Sequence, residues 1–265
     1  MDLRITHTTR YDYDQPVGYA LQRLRLRPPS NGMQTVQDWT VTVTGGVIEL
    51  TCADHHGNVM DLVNTTRGSS DLVITASGTV TTHDKAGVLG KVYGAAPLWH
   101  FEQASPLTEP SRGIRTLAKP LKVSTNLLAD LHTLSATILS AVPYATGQTY
   151  METTAEEALA GAVGVCQDHA HIMIATARVA GLPARYVSGY LMMDDRVDQD
   201  ASHAWAEVHL PTLGWVGFDV SNGISPDTRY VRLAVGRDAR DAAPVQGLRM
   251  GPGDESLIVT LQVQQ

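Results

Sequence analysis

The chain has 265 residues, of which 43% are hydrophobic and 18% are charged. This composition excludes a disordered chain and suffices for one large or two small domains. A net charge of −7 with no long basic run argues against nucleic acid as a partner. Two cysteines do not form a disulfide framework, the first residues lack the apolar stretch of a signal peptide, and no apolar run of about 18 residues occurs. We therefore expect a cytoplasmic protein that does not bind membranes.

The first third of the chain has the pattern of β-strands. Residues 3–9 and 39–44 alternate in polarity, and residues 72–82 are rich in β-branched side chains. Proline, glycine and asparagine mark turns between these segments. The sequence predicts an antiparallel β-sandwich domain over residues 1–93. Residues 94–123 mix proline, glycine and polar residues, and they are predicted to form a linker that wraps around the fold.

Residues 124–265 are predicted to combine helices and strands in an α+β domain. Asparagine and serine before residue 127 can cap a helix over 127–142, and Thr154 with Glu157 fits a capping box. A third helix is predicted over 167–180, because Gly181 and Pro183 then stop it. Strands are predicted over 185–191, around His203, around Asp219, and over 257–263 at the C-terminus.

Cys166 is the candidate nucleophile of this domain. It follows the flexible Gly164 and stands where the third helix begins. The free N–H groups and partial positive charge of a helix start stabilise a thiolate, and the Cys166 N–H could face a developing oxyanion. The alternative is a buried structural cysteine, because free cysteines are often buried.

His203 and Asp219 are the candidate base and orienting acid. A hairpin centred on Pro211 would place His203 directly opposite Asp219, with their Cβ atoms about 4.5–5.5 Å apart. The same register would pair Trp205 with Gly217. Each residue alone also fits a structural role, as a strand histidine or a turn aspartate. Thiol, imidazole and carboxylate in this order favour a catalytic triad over separate structural roles.

The remaining histidines give no support for a metal site. His169 and His171 would lie about 200° apart around a helix, so both cannot easily face one ion. His55 and His56 are predicted to lie in a loop, where a metal site is conceivable but unsupported. We therefore expect neither a metal nor another cofactor. Tyr144 is a weakly supported candidate for a second oxyanion donor, because the sequence does not fix its position.

These motifs resemble the bacterial transglutaminase-like superfamily, whose members are described as cysteine proteases. The resemblance covers nearly the whole chain, including the N-terminal region. It implies a papain-like α+β core behind an N-terminal β domain, with Cys166 as nucleophile, His203 as general base and acid, and Asp219 orienting His203. The motifs are Gly164-Val165-Cys166-Gln167-Asp168, residues 181–190, Ser202-His203-Ala204-Trp205 and residues 214–219, together with residues 11–13, 24–28 and 235–238.

Two positions depart from the family pattern. Val220-Ser221-Asn222 stands where Pro-Thr-Asn is expected, which bears on the turn after Asp219. His169 stands where an aromatic residue such as phenylalanine is usual, and it could add a polar wall to the cleft.

The expected function is hydrolysis of an amide bond in a peptide or protein through a thioester on Cys166, without a cofactor. Water is favoured as the acceptor because nothing in the sequence indicates a shielded site for an amine. One alternative is transglutaminase-type acyl transfer to an amine. The other is a non-catalytic peptide-binding module that retains the triad, in which the β domain could add a partner strand.

Overall fold

The fold is known from a computed structural model, which describes residues 1–92 and 94–265. Helices and mainly antiparallel sheets are mixed in it. The helices are α1 (Arg112–Leu117), α2 (Leu127–Ala141), α3 (Ala155–Gly161) and α4 (Cys166–Val179). The strands are β1 (Asp2–Tyr13), β2 (Tyr19–Arg27), β3 (Gln34–Thr44), β4 (Gly46–Ala53), β5 (Val59–Thr65), β6 (Asp71–Thr82), β7 (Val88–Gly90), β8 (Ala184–Leu191), β9 (Asp198–Gln199), β10 (His203–Leu210), β11 (Gly214–Phe218), β12 (Tyr230–Gly236), β13 (Val245–Met250) and β14 (Glu255–Gln264).

The strands form three sheets. Their orders are β3-β6-β1-β14-β9, β13-β2-β5-β4 and β12-β8-β10-β11-β7. In β1, Leu3 and Ile5 are fully buried while their neighbours Asp2 and Arg4 are exposed, as expected for a strand with one face on a core. Side chains from the first two sheets share one apolar cluster, to which β8 and β12 of the third sheet also contribute. The third sheet is therefore joined to the other two through a common core.

Sheet membership does not follow the predicted boundaries at residues 93 and 124. The C-terminal β14 pairs with β1 along ten residue pairs, and β13 pairs with β2. In the opposite direction, β7 pairs with β11 of the third sheet. The predicted unit over 124–265 thus contributes its last two strands to the sheets of the N-terminal region. These strands cover edges of β1 and β2 that would otherwise lack backbone partners.

The segment over residues 94–123 contains short helices. Three 3-10 turns (Leu98–Glu102, Pro106–Thr108 and Leu121–Val123) accompany α1. Arg178 of α4 holds this segment in place, because its Nε donates to the Phe101 carbonyl at 2.9 Å and its Nη1 to Thr108 Oγ1 at 2.8 Å. The segment is therefore docked on the central helix along its path.

Helix α4 lies at the centre of the second half of the chain. Every residue from Asp168 to Arg178 is buried, which is typical of a helix surrounded by other elements. Its observed start at Cys166 is one residue before the predicted start. Gly181, just beyond its end, has φ +82°, a left-handed conformation that favours glycine. Burial of α4 on all sides fixes the position of its N-terminus.

The predicted hairpin register was wrong by two residues. Leu210 pairs with Gly214 and Glu207 with Gly217, so the loop comprises residues 211–213 and is centred on Thr212. Gly214, with φ +77°, takes the left-handed conformation that closes a three-residue loop. His203 is therefore not directly opposite Asp219. A shift of two residues keeps every side chain on its predicted face, so the two side chains can still meet diagonally.

Within the described residues, no helix combines the length and apolar character that a membrane crossing requires.

Candidate active site

Cys166 is the first residue of α4, and the chain before it is held by Asp168. The Asp168 Oδ2 accepts hydrogen bonds from the Val165 N–H at 2.8 Å and from Thr149 Oγ1 at 2.7 Å. A Cβ at Gly164 would lie 2.8 Å from the Asp168 Cβ, so glycine is required for this close approach. The half-buried Cys166 is thereby fixed at a helix start, where the free N–H groups favour a thiolate.

His203 and Asp219 form a buried hydrogen-bonded pair. The His203 Nε2 lies 2.6 Å from Asp219 Oδ2, and the two side chains are 8% and 0% exposed. Asp219 Oδ2 also accepts from the Tyr230 hydroxyl and from Asn222 Nδ2, each at 2.7 Å. Burial alone would raise the pKa of Asp219, but the hydrogen bond and charge of His203, with the bonds from Asn222 and Tyr230, lower it. Asp219 is thus held as a carboxylate beside His203.

Cys166 is the second group that raises the pKa of His203. Burial lowers the pKa of His203, but hydrogen bonding to Asp219 and to Cys166 outweighs burial and raises that pKa to about 10. His203 is then an imidazolium at neutral pH, which favours a thiolate on Cys166. Since Nε2 is engaged by Asp219, Nδ1 is the nitrogen left for the thiol. The structure brings the three predicted site residues together in this arrangement.

A cleft of about 470 Å³ opens beside this group. Its lining includes Tyr144, which is 51% exposed. The pKa of Tyr144 is raised by partial burial and then by negative charge on Cys166. A role for Tyr144 as an oxyanion donor remains a prediction. The other lining residues are Leu191, Met192, Met193, Asp194, Asp195, Arg196, His203, Ser221, Asn222, Arg229 and Tyr230.

The two positions that depart from the family pattern contact each other. His169 Nε2 donates to the Val142 carbonyl at 2.7 Å, so its Nδ1 accepts from the Ser221 hydroxyl at 2.8 Å. His169 is buried, and burial lowers its pKa, whereas Ser221 lines the cleft. The wall of the cleft is therefore Ser221, with His169 supporting it from behind.

His171 lies apart from His169. Its Nε2 accepts from the N–H of Ala239 at 3.1 Å, and Ala239 lies in the turn after β12. His169 and His171 therefore contact different parts of the chain.

Sequence reasoning missed Tyr230 and the side chain of Asn222. Both donate to Asp219, yet Tyr230 comes 11 residues after it and begins another strand. No local spacing indicates such a contact. The order of β12 and β8 in the sheet is needed to bring the Tyr230 hydroxyl to the carboxylate.

Comparisons with known proteins agree with this arrangement of elements. The model of the transglutaminase-like superfamily matches residues 115–220, and that of the bacterial transglutaminase-like N-terminal region matches residues 3–81. An uncharacterized protein of Mycobacterium tuberculosis is 30% identical over 96% of this chain and 90% of its own. One from Mycobacterium leprae is 27% identical over 98% of both chains. The crystal structure of a "putative cysteine protease" from Cytophaga hutchinsonii is similar over 100% of this chain and 90% of that chain, with a TM-score of 0.79 and 22% identity.

Proposed function

The chain belongs to the transglutaminase-like superfamily, with a bacterial transglutaminase-like N-terminal region, and we propose that it hydrolyses amide bonds in peptides or proteins. Membership of this superfamily supports a general cysteine-protease-like function. In the proposal, Cys166 is the nucleophile, His203 the general acid and base, and Asp219 the residue that orients His203. The single observation that carries it is the position of His203, between a buried carboxylate and the thiol at a helix start.

The reaction proceeds in two steps through a thioester. The Cys166 thiolate attacks the amide carbonyl, and the Cys166 N–H donates to the oxyanion. The His203 imidazolium gives its Nδ1 proton to the leaving amine, which departs as the C–N bond breaks. Neutral His203 then removes a proton from water, the hydroxide attacks the thioester, and the thiolate leaves. Asp219 keeps the imidazole in one tautomer and stabilises its charged form throughout.

The proposal also covers the domain architecture of the protein and the cellular compartment in which it acts. We assign the first two sheets to an N-terminal β-sandwich and the third sheet with α4 to a papain-like core. The assignment is supported by the cluster shared between the first two sheets and by the cysteine at the start of the central helix. A thiol nucleophile acts only when reduced, so we propose that the protein acts in a reducing compartment, as in the cytoplasm.

The test is peptide-library cleavage under reducing conditions, analysed by mass spectrometry. We expect the wild type to cleave a subset of peptides, and Cys166→Ser to lose cleavage by about 10³-fold or more, because triad members act as a unit. Cys52→Ser is the matched control, since Cys52 is also free and half-buried but lies in β4. Equal loss in both variants, or cleavage that persists in Cys166→Ser, would refute the proposal.

A parallel reaction with an added primary amine separates hydrolysis from acyl transfer. Hydrolysis yields the free acid with or without the amine. An amide adduct as the main product would replace hydrolysis by transglutamination at the same thiol. Retention of peptide binding by Cys166→Ser, with no product from the wild type, would favour the non-catalytic binding module.

A further inference from the structure

Three histidines from two distant parts of the chain meet away from the cleft. His55 and His56 lie in the turn between β4 and β5, and His100 lies in the 3-10 turn over Leu98–Glu102. One ring nitrogen of each is within 4.8 Å of the others. His56 Nε2 and His100 Nε2 are 3.1 Å apart. Two imidazole nitrogens bound to one tetrahedral Zn²⁺ would lie about 3.3 Å apart, given Zn–N bonds of about 2.0–2.1 Å.

The turn that carries His55 and His56 is rigidly held. Asp54 Oδ1 accepts from the backbone N–H groups of His56 and Asn58 at 2.9 and 3.0 Å. The Asn58 amide in turn exchanges two hydrogen bonds of 2.8 Å with the backbone of Val235 in β12. These bonds fix the turn against the third sheet. His56 is therefore held beside His100 before any ion binds. Such preorganisation is what a metal site requires of its supporting residues.

The His56 side chain is fully buried and its Nε2 faces His100, so Nε2 is the nitrogen that would bind an ion. Its other ring nitrogen, Nδ1, has no hydrogen-bond partner within the described residues. Asp241, in the turn after β12, has Oδ2 at 3.7 Å from His56 Nε2. The same oxygen accepts from Arg237 Nε at 3.1 Å, so Asp241 would complete a four-ligand set by exchanging this contact for the bond to the ion. Imidazole nitrogens with one carboxylate suit Zn²⁺ and similar divalent transition metals better than Mg²⁺ or Ca²⁺.

We propose that His55, His56 and His100 bind one divalent transition-metal ion of the zinc type, with Asp241 as the fourth ligand. The site joins the N-terminal β domain, the segment over residues 94–123 and the turn after β12. It shares no residue with the catalytic cleft. The ion is therefore structural in this proposal. It links three segments of the chain that lie far apart in the sequence.

The test is titration of the full chain, freed of metal by a chelator, with Zn²⁺ by calorimetry and with Co²⁺ by visible absorption. We expect one ion per chain, a Co²⁺ spectrum of a tetrahedral site, and a higher thermal unfolding midpoint with Zn²⁺. His55→Ala and His100→Ala should each weaken binding by more than about 100-fold, because even loss of a supporting residue costs about 10–100-fold. His83→Ala is the matched control, since His83 is an exposed histidine of the same region that lies outside the cluster.

Wild type that binds no stoichiometric Zn²⁺ would overturn the proposal and leave the His56–His100 contact as an N–H···N hydrogen bond. Binding that is equally weakened in His83→Ala, or unchanged in both cluster variants, would also overturn it. Should His100→Ala fail to fold, chemical modification of wild-type histidines by diethyl pyrocarbonate decides the matter. Protection of His55 and His100 by Zn²⁺, with no protection of His83, supports the site, and equal modification with and without Zn²⁺ rejects it.

Discussion

The chemistry of Cys166 is set by its neighbour His203. Since the pKa of His203 is raised to about 10, the imidazolium persists through neutral pH beside the Cys166 thiol. We predict that Cys166 of the wild type is alkylated readily by iodoacetamide at neutral pH, because a neighbouring imidazolium favours the reactive thiolate. His203→Ala should slow this alkylation at neutral pH. Mass spectrometry of the alkylated peptide gives the rate at each pH, and Cys52 in the same sample is the internal control. A profile of Cys166 that His203→Ala leaves unchanged would contradict the pairing.

Asp219 depends on the Tyr230 hydroxyl as well as on His203. The folded-state pKa of Asp219 lies below its ordinary value, so its contribution to stability is present above that value and is lost as pH falls through the folded pKa. Tyr230→Phe removes a 2.7 Å donor, which should raise the pKa of Asp219 and move this acid-side loss to higher pH. We predict a cost of about 1.5–3 kcal/mol at neutral pH, the range for hydrogen bonds to charged groups.

Urea unfolding of Tyr230→Phe from acid to neutral pH measures this change. Tyr19→Phe is the control, because Tyr19 is exposed in β2. Equal stability of wild type and Tyr230→Phe at neutral pH would show that the hydroxyl does not support the carboxylate.

At the residue scale, the sequence pointed to three residues that the structure brings together, but not to the donors that support Asp219. Cys166, His203 and Asp219 are chemically distinctive and stand in motifs with turn or strand signals. The contact of Tyr230 with Asp219 depends on how β12 sits in the sheet. The cluster of His55 and His56 with His100 was missed for the same reason, since 44 residues separate His56 from His100.

At the scale of elements, His169 fastens α4 to its surroundings. His169 lies in the first turn of α4. Its ring contacts the Val142 carbonyl, just after α2, and the Ser221 hydroxyl, just after β11. We predict that His169→Phe costs about 1–3 kcal/mol in the free energy of unfolding, because the buried Val142 carbonyl loses its donor. Urea unfolding measures this cost, and Ser221→Ala with the double variant completes a cycle.

The coupling between His169 and Ser221 should be about 0.5–3 kcal/mol if their hydrogen bond stabilises the cleft wall. Strict additivity of the two single variants would show that the contact contributes nothing. The same cycle measured on peptide cleavage would show whether the supported Ser221 also affects substrate turnover.

Prediction of elements succeeded where local signals determine a boundary. The Thr154–Glu157 capping box is present at the start of α3, and the observed α2 ends within one residue of its predicted bound. The hairpin register failed because proline was taken as its centre, whereas the left-handed Gly214 closes the loop. The error of two residues left the faces correct, so the contact between His203 and Asp219 could be predicted despite it.

At the scale of the molecule, the return of the C-terminus to the N-terminal sheet could not be read from the sequence. A strand over residues 257–263 was predicted, and β14 is observed over Glu255–Gln264. Its alternating pattern fits an edge of any sheet, so nothing local indicates that β1 is its partner. The domain boundaries at residues 93 and 124 remain a prediction. Strands from the two sides of these boundaries pair with each other.

This crossing links the stability of the first sheet to the cleft. Besides β1, β14 pairs with β9, which lies in the connection between β8 and His203, and part of that connection lines the cleft. We predict that Leu261→Ala, which empties a fully buried position opposite Gln199, costs about 2–5 kcal/mol in unfolding free energy and lowers peptide cleavage at elevated temperature. Ile258→Ala in the same strand, at a side chain 55% exposed, should stay within about 1 kcal/mol of wild type. Urea unfolding and peptide cleavage of both variants test the link. If Leu261→Ala is destabilised but cleaves peptides as well as the wild type, β14 does not help to hold the cleft in place.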